Sequence, residues 1–365
     1  WLQFGLLGIL SGFFHLNRAD GLIWLGIMGI FWIYYFGNKD LKKAFLSKQI
    51  YLSLFALCGG YLIIMGAWYV RNISIFHQLF VPGTQHTLWL TKYDDLFAYP
   101  ASALSFQRWI SAGAGSILLA RWNALGANIK TIIGVQGIIF FSPMIVLGIS
   151  KYRCDIRIKI IGLYWLLELV VMSFVFPFAG SRGGYFHSVA AIQPILWIMG
   201  AGGFEMMLNF GVKKRNWKLN RAWKMFGSAA VLLAIIFTGV IYTQKVIGED
   251  NLGLEWDKDE RIFRSIDEKL SGIGVDSSQI ILVNNPPGFS LVTNRPAIVI
   301  PDGSIQTLLQ VSEQYHAAYL VLETNHVFEL DNLYNHPENL TGLEYLGSVD
   351  SAQIYHLENR LKIDQ

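Results

Sequence analysis

Apolar residues in this chain run in long blocks, and the blocks are separated by short, strongly basic stretches. Segments 1–16, 21–36, 50–70, 129–149, 160–178, 187–208 and 226–243 are almost free of charge. Most approach the roughly 20 residues that a helix needs to cross a bilayer. The pattern predicts about seven crossings, with 21–36 short enough to be bent or partly re-entrant. Trp24, Tyr34, Tyr35, Trp68, Tyr69 and Tyr242 stand near block ends, where amphipathic rings settle at the membrane interface. From Glu249 the pattern changes. DERIFRSIDEKLSGI has helical periodicity closed by Gly272, QIILVNN and RPAIVIPDG read as strands, and SIQTLLQVSEQY reads as a helix capped by Ser304. AAYLVLE is a third strand, and LEYLGSVDSAQIYHL a hairpin turning at Asp350-Ser351. Strands alternating with helices predict a small, partly parallel three-layer domain. The expected division is a helical membrane domain over 1–245 and a soluble α/β domain over 246–365. No internal repeat and no low-complexity segment interrupts it.

Charge gives these blocks a direction. Lys39, Lys42, Lys43 and Lys48 fill one short loop, Lys151, Arg153, Arg157 and Lys159 a second. Lys213, Lys214, Arg215, Lys218, Arg221 and Lys224 fill a third. Short loops rich in Lys and Arg remain cytoplasmic, so the segments between them, and the C-terminal domain, are expected outside. Residues 1–243 hold 21 Lys and Arg against 7 Asp and Glu, while 244–365 hold 8 against 19. The positive charge sits at helix ends, which fits anionic lipid headgroups and argues against nucleic acid. With 53% hydrophobic and 15% charged residues, and a mean hydropathy of +0.38, the composition is that of a membrane protein. Cys58 and Cys154 fall in a span and a cytoplasmic loop, so no disulfide is expected. Trp1 begins inside an apolar run, and the chain reads as the C-terminal part of a longer polytopic protein.

Polar residues cluster at four places on the expected outer side. His15-Leu16-Asn17-Arg18-Ala19-Asp20-Gly21 interrupts two apolar blocks. It is either a corner whose Arg18 reaches headgroups or a forked donor to a lipid phosphate. Trp68 to Asn72 ends a span and reads first as an interfacial anchor. The segment 71–128 is longer than a connection needs and is expected to pack over the outer mouth of the helices. Within it, Tyr93, Asp94 and Asp95 form either a solvated turn or a contact for sugar hydroxyls or a divalent cation. Its apolar stretch SAGAGSILLARW is expected along the membrane surface. The fourth cluster, Gly180 to Ser188, is a short glycine-rich hairpin that offers Arg182 and His187 to a phosphate. Glu168 lies mid-span, where a carboxylate must be neutral or paired, and Glu205 lies near the cytoplasmic end. Asn284 to Gly288 follows a strand but lacks the spaced glycines of a dinucleotide loop. No Walker, HExxH or GxSxG motif occurs, and the sequons at Asn72 and Asn339 are too short a pattern to carry weight.

Taken in order, these clusters resemble the GT-C fold of multi-pass glycosyltransferases, in particular the group of protein O-mannosyltransferases and the lipid A aminoarabinose transferase. Gly12 to Gly21 is similar to their G-L-x-x-L-x-R-P-D-G segment, and Trp68 to Asn72 to their P-W-x-x-R-N span end, with Ala67 where Pro is usual. Thr87 to Phe97 and Ser181 to Ser188 resemble segments of bacterial and archaeal members. The resemblance covers roughly 1–245 and leaves the C-terminal domain as an appended extracytoplasmic module. It implies an inverting hexosyltransferase of the cell envelope. Such an enzyme moves a sugar from a polyprenyl-phosphate carrier to a glycan, lipid or protein acceptor outside the plasma membrane. The family's catalytic aspartate belongs to a first outer loop that this chain lacks, so the catalytic base is not assigned here. Arg18, Arg182 and His187 are then the expected contacts of the carrier phosphate. Asp20, Tyr93, Asp94 and Asp95 remain as substrate or metal contacts, with a divalent cation as a possible cofactor. Two alternatives stand beside this reading: an O-antigen ligase or polymerase, and a non-catalytic transporter or membrane anchor.

Overall fold

The computed structural model describes residues 1–37, 48–248 and 254–358. Lys39, Lys42 and Lys43, and the change of pattern at Glu249, lie outside the described residues. The fold is mainly helical with a small C-terminal sheet. Among the described residues five helical stretches are long and apolar enough to cross a membrane: 19–36, 48–76, 156–175, 177–215 and 219–247. Such helices are compatible with a multi-pass membrane protein. The chain forms two compact units, residues 1–88 with 112–230, and residues 89–111 with 231–365.

The first unit is built from helices α1 (Leu2–Asn17), α2 (Leu22–Gly37), α3 (Lys48–Phe76), α4 (Ala114–Thr131), α5 (Ser142–Tyr152), α6 (Ile156–Val170) and α7 (Gln193–Arg215), with the start of α8 (Leu219–Tyr242). Two pairs approach backbone to backbone. A Cβ on Gly8 would overlap the Leu57 carbonyl, and one on Gly60 the Gly5 carbonyl, so α1 lies directly on α3. Gly148 and Gly203 allow the same between α5 and α7, against the Met199 and Met144 carbonyls. Small residues at a helix contact let dispersion operate at short range where surrounding apolar groups supply no net hydrophobic drive.

Segment 129–149 differs from its expected single span. Helix α4 passes into a wider turn over Ile132–Gln136, Ile138 and Ile139 take positive φ (43° and 54°), and α5 starts anew with Pro143 in its first turn. β-branched residues at positive φ are unfavourable. The buried Gln136 accounts for part of the break: its carbonyl accepts from Gln193 (2.8 Å) and Trp197 (3.0 Å), and its side-chain oxygen accepts from Trp165 (3.0 Å). Residues 114–122 of the stretch expected along a membrane surface form the first half of α4. Glu205 is held by Lys151 at 2.6 Å, and both cysteines are free.

The second unit carries the predicted three-layer pattern. Helix α9 (Lys258–Gly272), β1 (Ile280–Val283), α10 (Pro286–Thr293), β2 (Ala297–Val299), α11 (Ile305–Tyr315), β3 (Ala317–Leu322), β4 (Leu343–Val349) and β5 (Ala352–Leu357) follow in order. The sheet order is β2-β1-β3-β5-β4, with β1, β2 and β3 parallel, β5 antiparallel to β3, and β4 antiparallel to β5. Strand alternation divides the core. Ile281, Val283, Val321 and Ile354 face α9 and α10, while Leu282, Leu320, Leu322 and Tyr355 face α11. Helix α10 was not foreseen. Asn285 caps it by accepting from Gly288 N–H (3.1 Å), and Pro286 and Pro287 occupy its first turn, where missing N–H groups cost nothing.

Residues 89–111 of the long 71–128 segment belong to this second unit. Phe97 and Tyr99 pack on the α11 side of the core, the Phe97 carbonyl accepts from Asp302 N–H (2.8 Å), and Lys92 pairs with Asp302 at 3.1 Å. Asp95 is fully buried and ties the segment together. It accepts from the backbone N–H of Thr91 (2.6 Å) and Lys92 (3.0 Å), from the Thr91 hydroxyl (2.8 Å) and from Arg108 (2.6 Å). Burial alone would raise its pKa, but these donors outweigh burial and hold the carboxyl below its ordinary value. A depressed carboxyl stabilises the fold fully above the ordinary aspartate pKa of about 4 and loses that contribution as pH falls. Asp95→Asn is therefore expected to cost about 1.5–3 kcal/mol at neutral pH. It should also flatten the acid limb of the stability profile, read by thermal melts of the full chain across pH; an unchanged acid limb would count against this assignment.

Candidate functional site

Helix α1 ends where Arg18 takes an extended backbone (φ −150°, ψ 141°) and gives its N–H to the Phe14 carbonyl at 3.0 Å. The chain then turns through Ala19–Gly21 into α2. Gly21 is required there, because a Cβ would overlap the Phe14 carbonyl. This corner places Arg18 and Asp20 side by side, and Nε of the guanidinium meets the carboxylate at 3.1 Å.

The segment 180–188 was expected to be an outer hairpin. It is a kinked helical passage within the 177–215 stretch, broken at Arg182 (φ −95°, ψ 27°) and at Gly183 (φ 107°). Gly183 occupies the left-handed region, where a side chain would be strained. Gly180 and Gly184 sit against the Met172 and Ala179 carbonyls, with no room for a Cβ. The kink brings Gly184 and Ser188 to Arg18 across more than 160 positions of sequence. Arg18 Nη2 donates to the Gly184 carbonyl (3.4 Å) and to Ser188 Oγ (3.3 Å), and Ser188 Oγ–H reaches Asp20 or the Gly184 carbonyl. His187 lies against the Phe186 ring at 5.0 Å, exposed on the same short turn as Arg182. Two of the expected phosphate donors therefore share one turn, and the third is bonded to that turn's backbone.

Beneath this cluster lies a second layer. Trp24 stacks on Tyr164 at 4.2 Å, and Tyr164 donates its hydroxyl to the Ser188 carbonyl at 2.9 Å. One turn further along α6, Glu168 is fully buried; the Tyr164 hydroxyl lies near it but gives its proton to Ser188, so neither carboxyl oxygen has a well-formed hydrogen bond among the described residues. The Tyr185 hydroxyl is likewise buried and unpartnered. Glu168 is within electrostatic range of Asp20 and Arg18. A third polar group, His15 on α1, is linked to Tyr61 (2.6 Å), which bonds Tyr69 (2.7 Å), so α1 and α3 share a polar chain near the same corner.

The remaining expected contacts go elsewhere. Tyr93, Asp94 and Asp95 belong to the second unit. Asp95 cannot serve as an open metal or sugar ligand, because backbone amides, Thr91 and Arg108 occupy its oxygens. Asp94 accepts from Phe328 N–H at 3.4 Å, and the Tyr93 ring packs edge-on against Phe97 at 6.1 Å. Among the described residues no group of three or more His, Cys, Asp or Glu is arranged to hold a metal ion. The sequence marks Glu168 only as an unusual mid-span charge; its position beneath Arg18 and Asp20 requires the fold.

A buried carboxyl group with both oxygens unsatisfied costs free energy, which a purely structural residue would not retain. Glu168→Gln, and more clearly Glu168→Leu, are expected to raise thermal stability by about 1–3 kcal/mol. Thermal melts of the detergent-solubilised full chain check that expectation, and a destabilised Glu168→Leu protein would contradict it.

No family model matches the chain, and neither a curated protein nor a solved structure shows significant similarity to it.

Proposed function

We propose that this chain is the membrane-embedded part of a glycosyltransferase of the cell envelope. It moves a sugar from a polyprenyl-phosphate carrier to an extracytoplasmic glycan, lipid or protein acceptor, with inversion at the anomeric carbon. The observation that carries the reading is the meeting of Arg18 with Gly184 and Ser188 of the 180–188 passage, whose backbone also carries Arg182 and His187. A departing lipid phosphate develops negative charge, and forked cationic donors placed beforehand lower the cost of that charge. Arg18 spends Nε and Nη2 on Asp20, Gly184 and Ser188, and with its side chain 39% exposed it keeps Nη1 for a further acceptor. Asp20 here orients the guanidinium rather than meeting the substrate. In this reading the chain is a multi-pass protein of the plasma membrane, the basic loops are cytoplasmic, and the sheet-bearing unit is extracytoplasmic.

A second reading, an ion-coupled transporter, draws on one observation, the unpaired buried carboxyl of Glu168. It is weaker, since it leaves the contact of Arg18 with Gly184 and Ser188 without a role.

Two measurements test the proposal. A charged hydrogen bond to phosphate contributes about 1.5–3 kcal/mol, so Arg18→Ala or Arg182→Ala is expected to lower transfer from a polyprenyl-phosphate sugar roughly 10- to 100-fold. Arg→Lys at either position should restore only part of it, because the fork is lost. Wild-type transfer in both alanine variants would sink the proposal. For the topology, a cysteine placed at the exposed Ser277, in a background with Cys58 and Cys154 replaced by Ser, is expected to react with an impermeant thiol reagent in intact cells. Reaction only after the membrane is opened would reverse the orientation.

A further inference from the structure

In the second unit the sheet order sends the chain two ways. After β1 it crosses through α10 to β2 on one side, and the later crossover through α11 delivers β3 on the other side. The loops that follow β1 and β3 therefore part at the carboxyl ends of adjacent parallel strands, the position at which open α/β sheets form ligand crevices. A cavity of about 760 Å³ opens there. Asn284 and Asn285 follow β1, Glu323 and Thr324 follow β3, Asp259 comes from the first turn of α9, and Asp350 from the β4–β5 turn. Its volume lies within the usual range for small-ligand sites.

The lining selects among ligands. Its two cations are already engaged: Arg261 by Asp257 and the Leu254 carbonyl, and Lys258 by Glu255 at 3.7 Å. Among the described residues no cation pairs with Asp259, Glu323 or Asp350. Burial, with Asp259 nearby, pushes the Glu323 carboxyl up to about 7, and a cation bound beside it would favour its ionised form. An anion has no cradle. Pro286 and Pro287 at the start of α10 have no N–H, and the Gly288 N–H is taken by Asn285. No aromatic face is offered to a base, since Phe263 is buried in the core. A divalent ion finds no suitable ligand set among the described residues. Among the described residues Asn284 Nδ2 is buried without a partner, which asks for an oxygen acceptor beside the positive charge.

We infer that this crevice binds a small protonated amine that carries hydroxyl groups, with the ammonium among Asp259, Glu323 and Asp350 and the hydroxyls on the Asn284, Asn285 and Thr324 side chains. The site is independent of the proposed transfer reaction, because it is built from other residues and is read by binding alone. The test is calorimetric titration of the full chain in lipid nanodiscs with glucosamine, with glucose and glucosamine 6-phosphate as comparisons. Glucosamine is expected to bind saturably in about the millimolar range, and at least about tenfold more tightly than either comparison. Glu323→Gln should weaken that binding about tenfold or more, since it removes one charged contact. Asp350→Asn, on an exposed hairpin turn and so harmless to folding, should do the same. The inference is overturned by any of three results. They are no saturable glucosamine binding up to about 10 mM, glucose or glucosamine 6-phosphate binding at least as tightly, or wild-type affinity in Asp350→Asn.

Discussion

Close backbone contact between glycine-bearing helices is the constraint on which the first unit depends. Helices in apolar surroundings gain little from burying apolar side chains against one another, so short-range packing must hold them. Gly5, Gly8 and Gly60 let α1 lie on α3, and Gly148 and Gly203 do so for α5 and α7. The first contact sets where α1 ends and hence where Arg18 stands. The second seats α7, whose preceding kink carries Gly184 and Ser188. A methyl group at Gly8 or Gly203 would displace a helix by its own bulk and move the polar residues at the end of the lever with it.

What those helices deliver is a two-layer polar site. The upper layer, Arg18 with Asp20 and Ser188, is internally satisfied and so holds a fixed geometry. The lower layer, Glu168 and Tyr185, lacks well-formed hydrogen bonds among the described residues. Paired groups above and unpaired groups beneath make the site stiff where it orients a guanidinium and costly where nothing yet meets the carboxyl. Such costs persist in proteins mainly where function requires them.

The second unit works by different physics. Its sheet has two buried faces, divided by simple strand alternation, and its core is hydrophobic in the ordinary way. One buried carboxylate with four donors holds segment 89–111 together, and Phe97, Tyr99 and the Lys92–Asp302 pair join it to the sheet across about two hundred positions of sequence. The parting of chain directions between β1 and β3 leaves a crevice whose acids are unneutralised, because the neighbouring bases are spent on closer partners.

Much of this was legible in the residues. Apolar block length marks the helices, since a span needs a set number of residues. Strand alternation, the Asp350-Ser351 turn and Gly272 mark the C-terminal domain, since these signals are local. Helix α10 is also written locally, in Asn285 followed by two prolines. Tertiary structure alone decided the rest. The break at Ile138-Ile139 follows from Gln136 bonding to α6 and α7, which no local propensity encodes. Asp95 reads in sequence as half of an exposed acidic pair and becomes a buried tie only because Arg108 and two backbone amides converge on it. Arg18 and Ser188 are each recognisable as polar interruptions, but their meeting depends on helix register. Register is set by side-chain volume at distant contacts, and so no single segment of the chain carries it.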